Sequence, residues 1–170
     1  MVEKKEKSKE LKLACFSLAG QSYAIDITNI RQIIRPSKIR PLIQAPKFVE
    51  GVINLRGAVI PVIDLRKRFE ISSNLDKEPR IIIVTVEKQV VGMVVDEVSE
   101  VITISQDQVQ PPPRLRGIPT RFLYGACQWN NEILIILDLS ELLTSEEKVS
   151  LSEIKKTIRK EQVNNDSSMS

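Results

Sequence analysis

Apolar and polar residues alternate over several short stretches of this chain, and a period of two is typical of half-buried β-strands. The first stretch, residues 11–27, reads L-K-L-A-C-F-S-L-A-G-Q-S-Y-A-I-D-I, with the turn-forming A-G-Q-S at its centre. Beyond it the apolar spacing changes to three and four residues, which predicts a bend or helical turn with one apolar face. These positions are Ile27, Ile30, Ile33 and Ile34. The prolines that follow predict loop and edge strand, because proline cannot donate to a central ladder.

Residues 51–69, G-V-I-N-L-R-G-A-V-I-P-V-I-D-L-R-K-R-F, predict a β-hairpin. The segment Asn54-Leu55-Arg56-Gly57 has the composition of a tight turn, because Asn and Gly tolerate a positive φ. Short apolar segments flank it on both sides, as strands would. The hairpin would lift Arg56 to its tip, where it is either a recognition residue or a solvated turn residue.

The second half of the chain repeats the pattern of the first. Up to residue 34 the shift is 68: Phe16 falls on Val84, Tyr23 on Val91, Ile27 on Val95, Ile30 on Val98 and Ile33 on Val101. Later it is 74, which aligns Gly51 with Gly125 and Asp64-Leu65 with Asp138-Leu139. Each unit holds about five short strands, enough for a small closed barrel. We therefore expect a mainly β fold of two small barrels, with strands belonging to one unit or exchanged between both.

The predicted organisation has four parts. Residues 1–12 form a charged lead-in without order, and residues 13–143 form the two units, approximately 13–71 and 80–143, with a polar linker between them. Residues 144–162 predict a C-terminal helix, since T-S-E-E is a helix-start signature and an apolar stripe follows. The polar tail, residues 163–170, is expected to be disordered.

Composition argues against several classes of function. The chain of 170 residues has a net charge of +3 and contains no histidine, so the usual catalytic base and the commonest transition-metal ligand are missing. Neither phosphate-loop motif occurs. We therefore expect no catalysis, metal or cofactor. With no secretory signal and no long apolar run, we expect a cytoplasmic protein without direct membrane insertion. Cys15 and Cys127 are then reduced thiols, with a disulfide the less favoured alternative.

Three sets of residues allow more than one interpretation. Asp64 and Asp138 suit helix N-caps better than paired acid/base groups. The cations form either a solvated face or a nucleic-acid track, and the aromatic content of 4% disfavours the second. They are Arg31, Arg35, Lys38, Arg40, Arg114, Arg116 and Arg121. The apolar positions that change spacing are core residues or, in part, the lining of a groove for a partner helix.

The hairpin segment resembles the signature stretch of the chemotaxis coupling protein family CheW. The similarity extends through F-S-L-A-G-Q-S-Y-A-I-D-I, V-V-G-M-V-V-D-E-V and L-I-I-L-D-L-S-E-L-L, over roughly residues 13–143. The resemblance implies two interlocked SH3-like five-stranded β-barrels with short helices and a C-terminal helix. It also implies a non-enzymatic adaptor between chemoreceptor cytoplasmic tips and the regulatory domain of the histidine kinase CheA, within membrane-associated arrays. Other CheW-like domains in array rings are further expected partners, and nucleic acid is not.

The resemblance also assigns site residues. The receptor-binding set is Ile27, Ile30, Ile33, Gly51, Arg56, Val95 and Val98, and the kinase-binding set is Asn54, Gly57 and Ala58. Gln32 stands where the family often has an acid, and residues 114–121 depart from its pattern. The alternatives are an adaptor for another receptor–kinase pathway and a small-barrel RNA-binding protein.

Overall fold

The computed structural model describes residues 9–36, 38–71, 78–115, 118–144, 147–148, 150–154 and 156. Most of the predicted lead-in, part of the linker and of the C-terminal helix, Arg116 and the tail lie outside these residues. The first unit contains β1 (Glu10–Leu18), β2 (Gln21–Asp26), β3 (Ile30–Ile34), β4 (Val49–Leu55), β5 (Ala58–Asp64) and helix α1 (Leu65–Arg68). The second contains β6 (Arg80–Val86), β7 (Gln89–Val95), β8 (Glu97–Ser105), β9 (Leu123–Trp129) and β10 (Glu132–Leu137).

The ten strands form two five-stranded sheets with the same internal order. One sheet runs β8-β1-β2-β10-β9 and forms the first barrel. The other runs β3-β6-β7-β5-β4 and forms the second barrel. Each sheet therefore combines the first hairpin of one unit with the last three strands of the other. The strands are exchanged, so neither barrel is a contiguous stretch of chain. The predicted fold class, two interlocked SH3-like barrels, is confirmed.

The two sheets follow the register of the repeat. A shift of 68 carries β2 onto the start of β7, and a shift of 74 carries β4 onto β9 residue for residue. The pairings match as well: Ile30 lies opposite Val84 on β6, and its equivalent Val98 lies opposite Phe16 on β1. The two halves of the chain therefore adopt one topology.

Alternating side chains of the central strands enter two different cores. On β1, Leu13 and Cys15 point into the first barrel, whereas Phe16 and Leu18 belong to a larger cluster shared with β6 and β7. On β6, Ile81 and Ile83 fill the second barrel in the same way, and Ile82 joins the shared cluster. We call this shared cluster the seam. Because both faces of these strands are buried, the sequence I-I-I-V is apolar without interruption.

Short helical turns follow β5 and β10, and each is capped by the aspartate that the sequence indicates. The Oδ1 atom of Asp64 accepts a hydrogen bond from the Arg66 backbone nitrogen, and that of Asp138 accepts one from Ser140. The capping interpretation of this pair is therefore confirmed. Within the described ranges, no helix has both the length and the apolar character that a membrane span needs.

Candidate functional site

The β4–β5 hairpin ends in a two-residue turn, Arg56-Gly57, within the segment 54–57 that the sequence predicts as a turn. Leu55 pairs with Ala58, and between them Arg56 and Gly57 have φ values of +52° and +84°. The Asn54 side chain closes the turn by accepting a hydrogen bond from the Gly57 nitrogen at 3.0 Å. Two successive positive φ values characterise the type I′ turn, whose twist suits a two-residue hairpin. The residues predicted to bind the kinase, Asn54, Gly57 and Ala58, are thus neighbours on one exposed tip, together with Arg56.

The apolar residues predicted to contact a receptor gather where the chain crosses between the barrels. Ile27 lies in the 3₁₀ turn that joins β2 to β3, and Ile30 begins β3. Val98 holds the position equivalent to Ile30 near the start of β8. All three are partly buried and pack against the seam. Their exposed surfaces therefore rest on a rigid support, which keeps the cost of ordering a docking surface low.

Ile33 is the most exposed member of the predicted apolar set. Its side chain is 42% exposed, and it lies opposite the buried Ile82 on β6. The equivalent residue in the other half, Val101, is 60% exposed and lies opposite Ala14. Each barrel therefore presents one exposed aliphatic side chain beside the seam, on an outer strand of its sheet.

Two residues predicted to bind the receptor have structural roles instead. Val95 is 0% exposed within the seam, so it cannot touch a partner, and that prediction is wrong. Gly51 is also buried, and a Cβ atom there would lie 2.3 Å from the Arg40 carbonyl oxygen. The Arg40 backbone pairs with Val52 at this point, so Gly51 lets the chain after β3 approach β4. Gly125 has the same role, facing the carbonyl oxygen of Gln110.

The predicted site residues fall into two groups. Ile27, Ile30 and Val98 share the seam, and Ile33 lies close by on β3. Arg56 sits on the β4–β5 hairpin, at the other end of the same sheet from β3. Because β5 pairs with β7 only at Val62–Asp64, the hairpin tip projects past its neighbour. An apolar face and a cationic tip are therefore carried separately on one scaffold.

Sequence reasoning missed a polar connection between the barrels. Arg66 binds Asp64 through Nη2 and Oδ2 at 2.7 Å and reaches Asp96 at 3.5 Å. Asp96 in turn accepts a hydrogen bond from the Ala19 nitrogen at 2.7 Å, in the β1–β2 turn of the other barrel. The hydrogen bond to Asp64 raises the pKa of Arg66, because it stabilises the charged guanidinium. The sequence feature that could have indicated this connection is Asp96, the acid between β7 and β8.

The described residues include two buried cysteines and no cluster of metal ligands. No group of three or more His, Cys, Asp or Glu in the described ranges is arranged to hold a metal ion. Cys15 and Cys127 are free thiols inside the first barrel. Burial raises the pKa of both, and that of Cys15 reaches about 11. Neither is the low-pKa thiolate that a nucleophile requires.

Comparison with known proteins decides the family. The family model for the CheW-like domain matches residues 12–147. The chain belongs to the CheW family. The chemotaxis protein CheW of Treponema pallidum is 33% identical over 151 residues, which cover 85% of this chain and 89% of that protein. CheW of Bacillus subtilis is 33% identical over 141 residues, covering 82% and 90%.

A solved structure supports the same assignment. The crystal structure of the scaffolding protein TtCheW from Thermoanaerobacter tengcongensis matches with a TM-score of 0.74 and 36% identity. The match covers 86% of this chain and 96% of that one. The resemblance seen in the hairpin signature is therefore confirmed, and the chain is a member of a family of chemotaxis scaffolds.

Proposed function

We propose that this CheW-family chain is a non-enzymatic cytoplasmic adaptor that couples the cytoplasmic tips of chemoreceptors to the histidine kinase CheA. The receptor tip binds the partly exposed surfaces of Ile27, Ile30, Ile33 and Val98. The regulatory domain of CheA binds the hairpin tip at Asn54, Gly57 and Ala58. Arg56 extends from that tip as a cation for the receptor side.

The observation that carries this proposal is the common support of the two exposed surfaces. The apolar residues rest on the seam, and the hairpin belongs to a sheet that contributes to the same core. A conformational change at one surface can reach the other through packed strands, which deform little. Contacts of small or moderate area suit an array in which each contact is weak and several act together.

The test is a pair of binding measurements with matched variants. Ile33→Asp places a carboxylate on the apolar surface without entering the core, and it should weaken binding of a receptor-tip hairpin about tenfold or more. Ile133→Asp is the control, because Ile133 is 56% exposed on β10, outside the proposed surfaces. Equal receptor affinity for both variants would remove the proposed receptor surface.

A second experiment separates the two partners. Ala58→Asp, which changes the exposed tip without displacing Arg56, should weaken capture of the CheA regulatory domain, while receptor-hairpin binding through Ile33 and Arg56 persists. Loss of both activities together, in a protein that remains folded, would argue against separate surfaces.

An adaptor for a different receptor–kinase pathway is the second candidate. Protein FrzA of Myxococcus xanthus, a relative under another name, is 28% identical over 137 residues. Failure of the wild-type chain to bind both the receptor hairpin and the CheA domain would favour this candidate.

A further inference from the structure

The internal repeat places two equivalent aspartates in different surroundings. Asp64 is the last residue of β5 and Asp138 directly follows β10, and both use Oδ1 to cap the turn that follows. In the first repeat, Asp64 Oδ2 also accepts a hydrogen bond from the Arg66 guanidinium. In the second repeat, the residue equivalent to Arg66 is Ser140, whose hydroxyl bonds back to Asp138 Oδ1 at 2.6 Å. Asp138 Oδ2 accepts no hydrogen bond from any residue that the structure describes.

A cavity of about 360 Å³ occupies the space beside Asp138. Its lining includes Asp26, Asp138, Asn29 and Tyr124, with Leu13 and Ile136 at its apolar base. Asp26 resembles Asp138, since its Oδ1 caps Thr28 and its Oδ2 has no hydrogen-bond partner within the described ranges. No lysine or arginine of the described chain lines the cavity. Glu87 at the rim is already paired with Lys148.

The first repeat shows what such a space accommodates. There Arg66 lies between two acids, Asp64 and Asp96. Asp64 is the equivalent of Asp138, and Asp96 is the equivalent of Thr28. A carboxylate pair around one guanidinium satisfies both oxygens of the capping aspartate with charge-assisted hydrogen bonds. In the second repeat Asp138 is the counterpart of Asp64, Thr28 stands in place of Asp96, and Asp26 supplies a second carboxylate from a neighbouring position, while the cation is absent. The half-exposed ring of Tyr124 adds an aromatic wall, which favours a cation beside it.

We propose that this cavity binds an arginine side chain of a partner protein, in the place that Arg66 occupies in the other repeat. The guanidinium would donate to Asp138 Oδ2 and Asp26 Oδ2 while its methylenes lie along Leu13 and Ile136. Because Asn29 and Thr28 belong to the turn that precedes Ile30, the arginine would anchor a partner next to the proposed receptor surface. The inference rests on the proposed function for the identity of the partner, but not for the chemistry of the cavity.

The first test uses a small probe on the full chain. N-acetyl-arginine-N-methylamide is titrated into ¹⁵N-labelled protein, and the amide shifts of Thr28, Tyr124 and Ser140 are followed. The citrulline counterpart has the same shape without the charge, and it should bind about tenfold more weakly, as expected for loss of a charge-assisted hydrogen bond. Asp138→Asn keeps the capping oxygen and should weaken the arginine probe by a similar factor. Equal binding of both probes, or no binding at the highest concentration, would overturn the proposal.

The second test installs the missing cation. Ser140→Arg should fill the cavity, abolish binding of the arginine probe and raise the midpoint of thermal unfolding. It should also weaken binding of the receptor hairpin about tenfold relative to wild type, because the cavity adjoins the turn that precedes Ile30. If it blocks the probe and leaves both partner affinities unchanged, the cavity is a site for small guanidinium compounds and the partner arginine is excluded. If the wild-type chain binds neither partner, the proposed function fails, and the probe titration still decides the cation site.

Discussion

The guanidinium of Arg68 on α1 binds both carboxylate oxygens of Glu147 on the C-terminal helix, of which the structure describes residues 147–148, 150–154 and 156. Nη1 lies 2.6 Å from Oε2, Nη2 contacts Oε1, and the two side chains are only 17% and 15% exposed. The Glu147 side chain also accepts a hydrogen bond from the Thr144 backbone nitrogen. The Glu147 backbone nitrogen donates a hydrogen bond to Thr144 Oγ1, which completes a capping box. Arg68 further lies over the ring of Phe122 at 5.4 Å. The C-terminal helix is therefore tied to the seam, where its Leu151 is fully buried.

Loss of this ion pair should cost measurable stability. Arg68→Ala leaves the Glu147 carboxylate largely buried without its partner, so we expect the free energy of unfolding to fall by about 2–3 kcal/mol. The neighbouring Lys67 pairs with Glu50 at 2.7 Å, but its side chain is 69% exposed. Lys67→Ala should therefore change stability by less than about 1 kcal/mol. Urea unfolding of both variants measures the difference, and equal losses would contradict the assigned role of Arg68.

The two buried glycines should both be intolerant of a side chain. Gly51→Ala and Gly125→Ala each drive a Cβ atom to within 2.7 Å of a backbone carbonyl oxygen, so we expect losses of about 3 kcal/mol. Gly57→Ala meets nothing within 4 Å and should cost only about 1–2 kcal/mol, from its positive φ. Thermal unfolding of the three variants gives the order. A smaller loss for Gly51→Ala than for Gly57→Ala would show that the close approach is not rigid.

The free energy of unfolding should decrease at alkaline pH because of the Cys15 thiol. Burial raises the pKa of this thiol from its ordinary value near 9 to about 11, so the folded protein retains a proton that the unfolded chain releases. Between about pH 9 and pH 11 the unfolded state therefore binds fewer protons, and stability decreases as pH rises. Chemical unfolding at intervals across this window should show a shallower decrease for Cys15→Ala, after its own loss of packing is subtracted. An identical slope in both proteins would reject the assignment.

Substitutions at the hairpin tip should affect stability and receptor binding differently. Arg56 is exposed at the turn, so Arg56→Ala should leave the free energy of unfolding within about 0.5 kcal/mol of wild type. Asn54→Ala removes the hydrogen bond to the Gly57 nitrogen and should cost about 1 kcal/mol. Receptor binding should follow the opposite order, with the larger loss in Arg56→Ala. Unchanged receptor affinity in that variant would leave Arg56 as a solvated turn residue.

The candidate site was only partly predictable from sequence. The hairpin and its turn were predicted, because the turn depends on Asn and Gly within four positions of each other, although the strand before it extends two residues further, to Leu55, than the sequence indicated. Val95 was assigned to the receptor surface by the family resemblance, through V-V-D-E-V, whereas its spacing alone indicated a core residue at least as well. The equivalent positions have different burial, since Ile27 sits in a helical turn whereas Val95 ends β7 in the seam. Periodicity identifies an apolar face, but only packing shows how deeply each residue on it is covered.

The sequence alone determined the strands, the turns, the capping aspartates and the repeat, since each depends on residues close together in the chain. It also carried the family signature. Tertiary structure alone decided that each barrel takes its strands from both halves. The β1–β2 and β6–β7 hairpins offer similar hydrogen-bonding edges, so only the packing of the seam selects which strands each hairpin pairs with. Tertiary structure alone also revealed the cavity beside Asp138. The sequence shows a serine in place of an arginine, and only the fold shows that the carboxylates of Asp26 and Asp138 lie around the space.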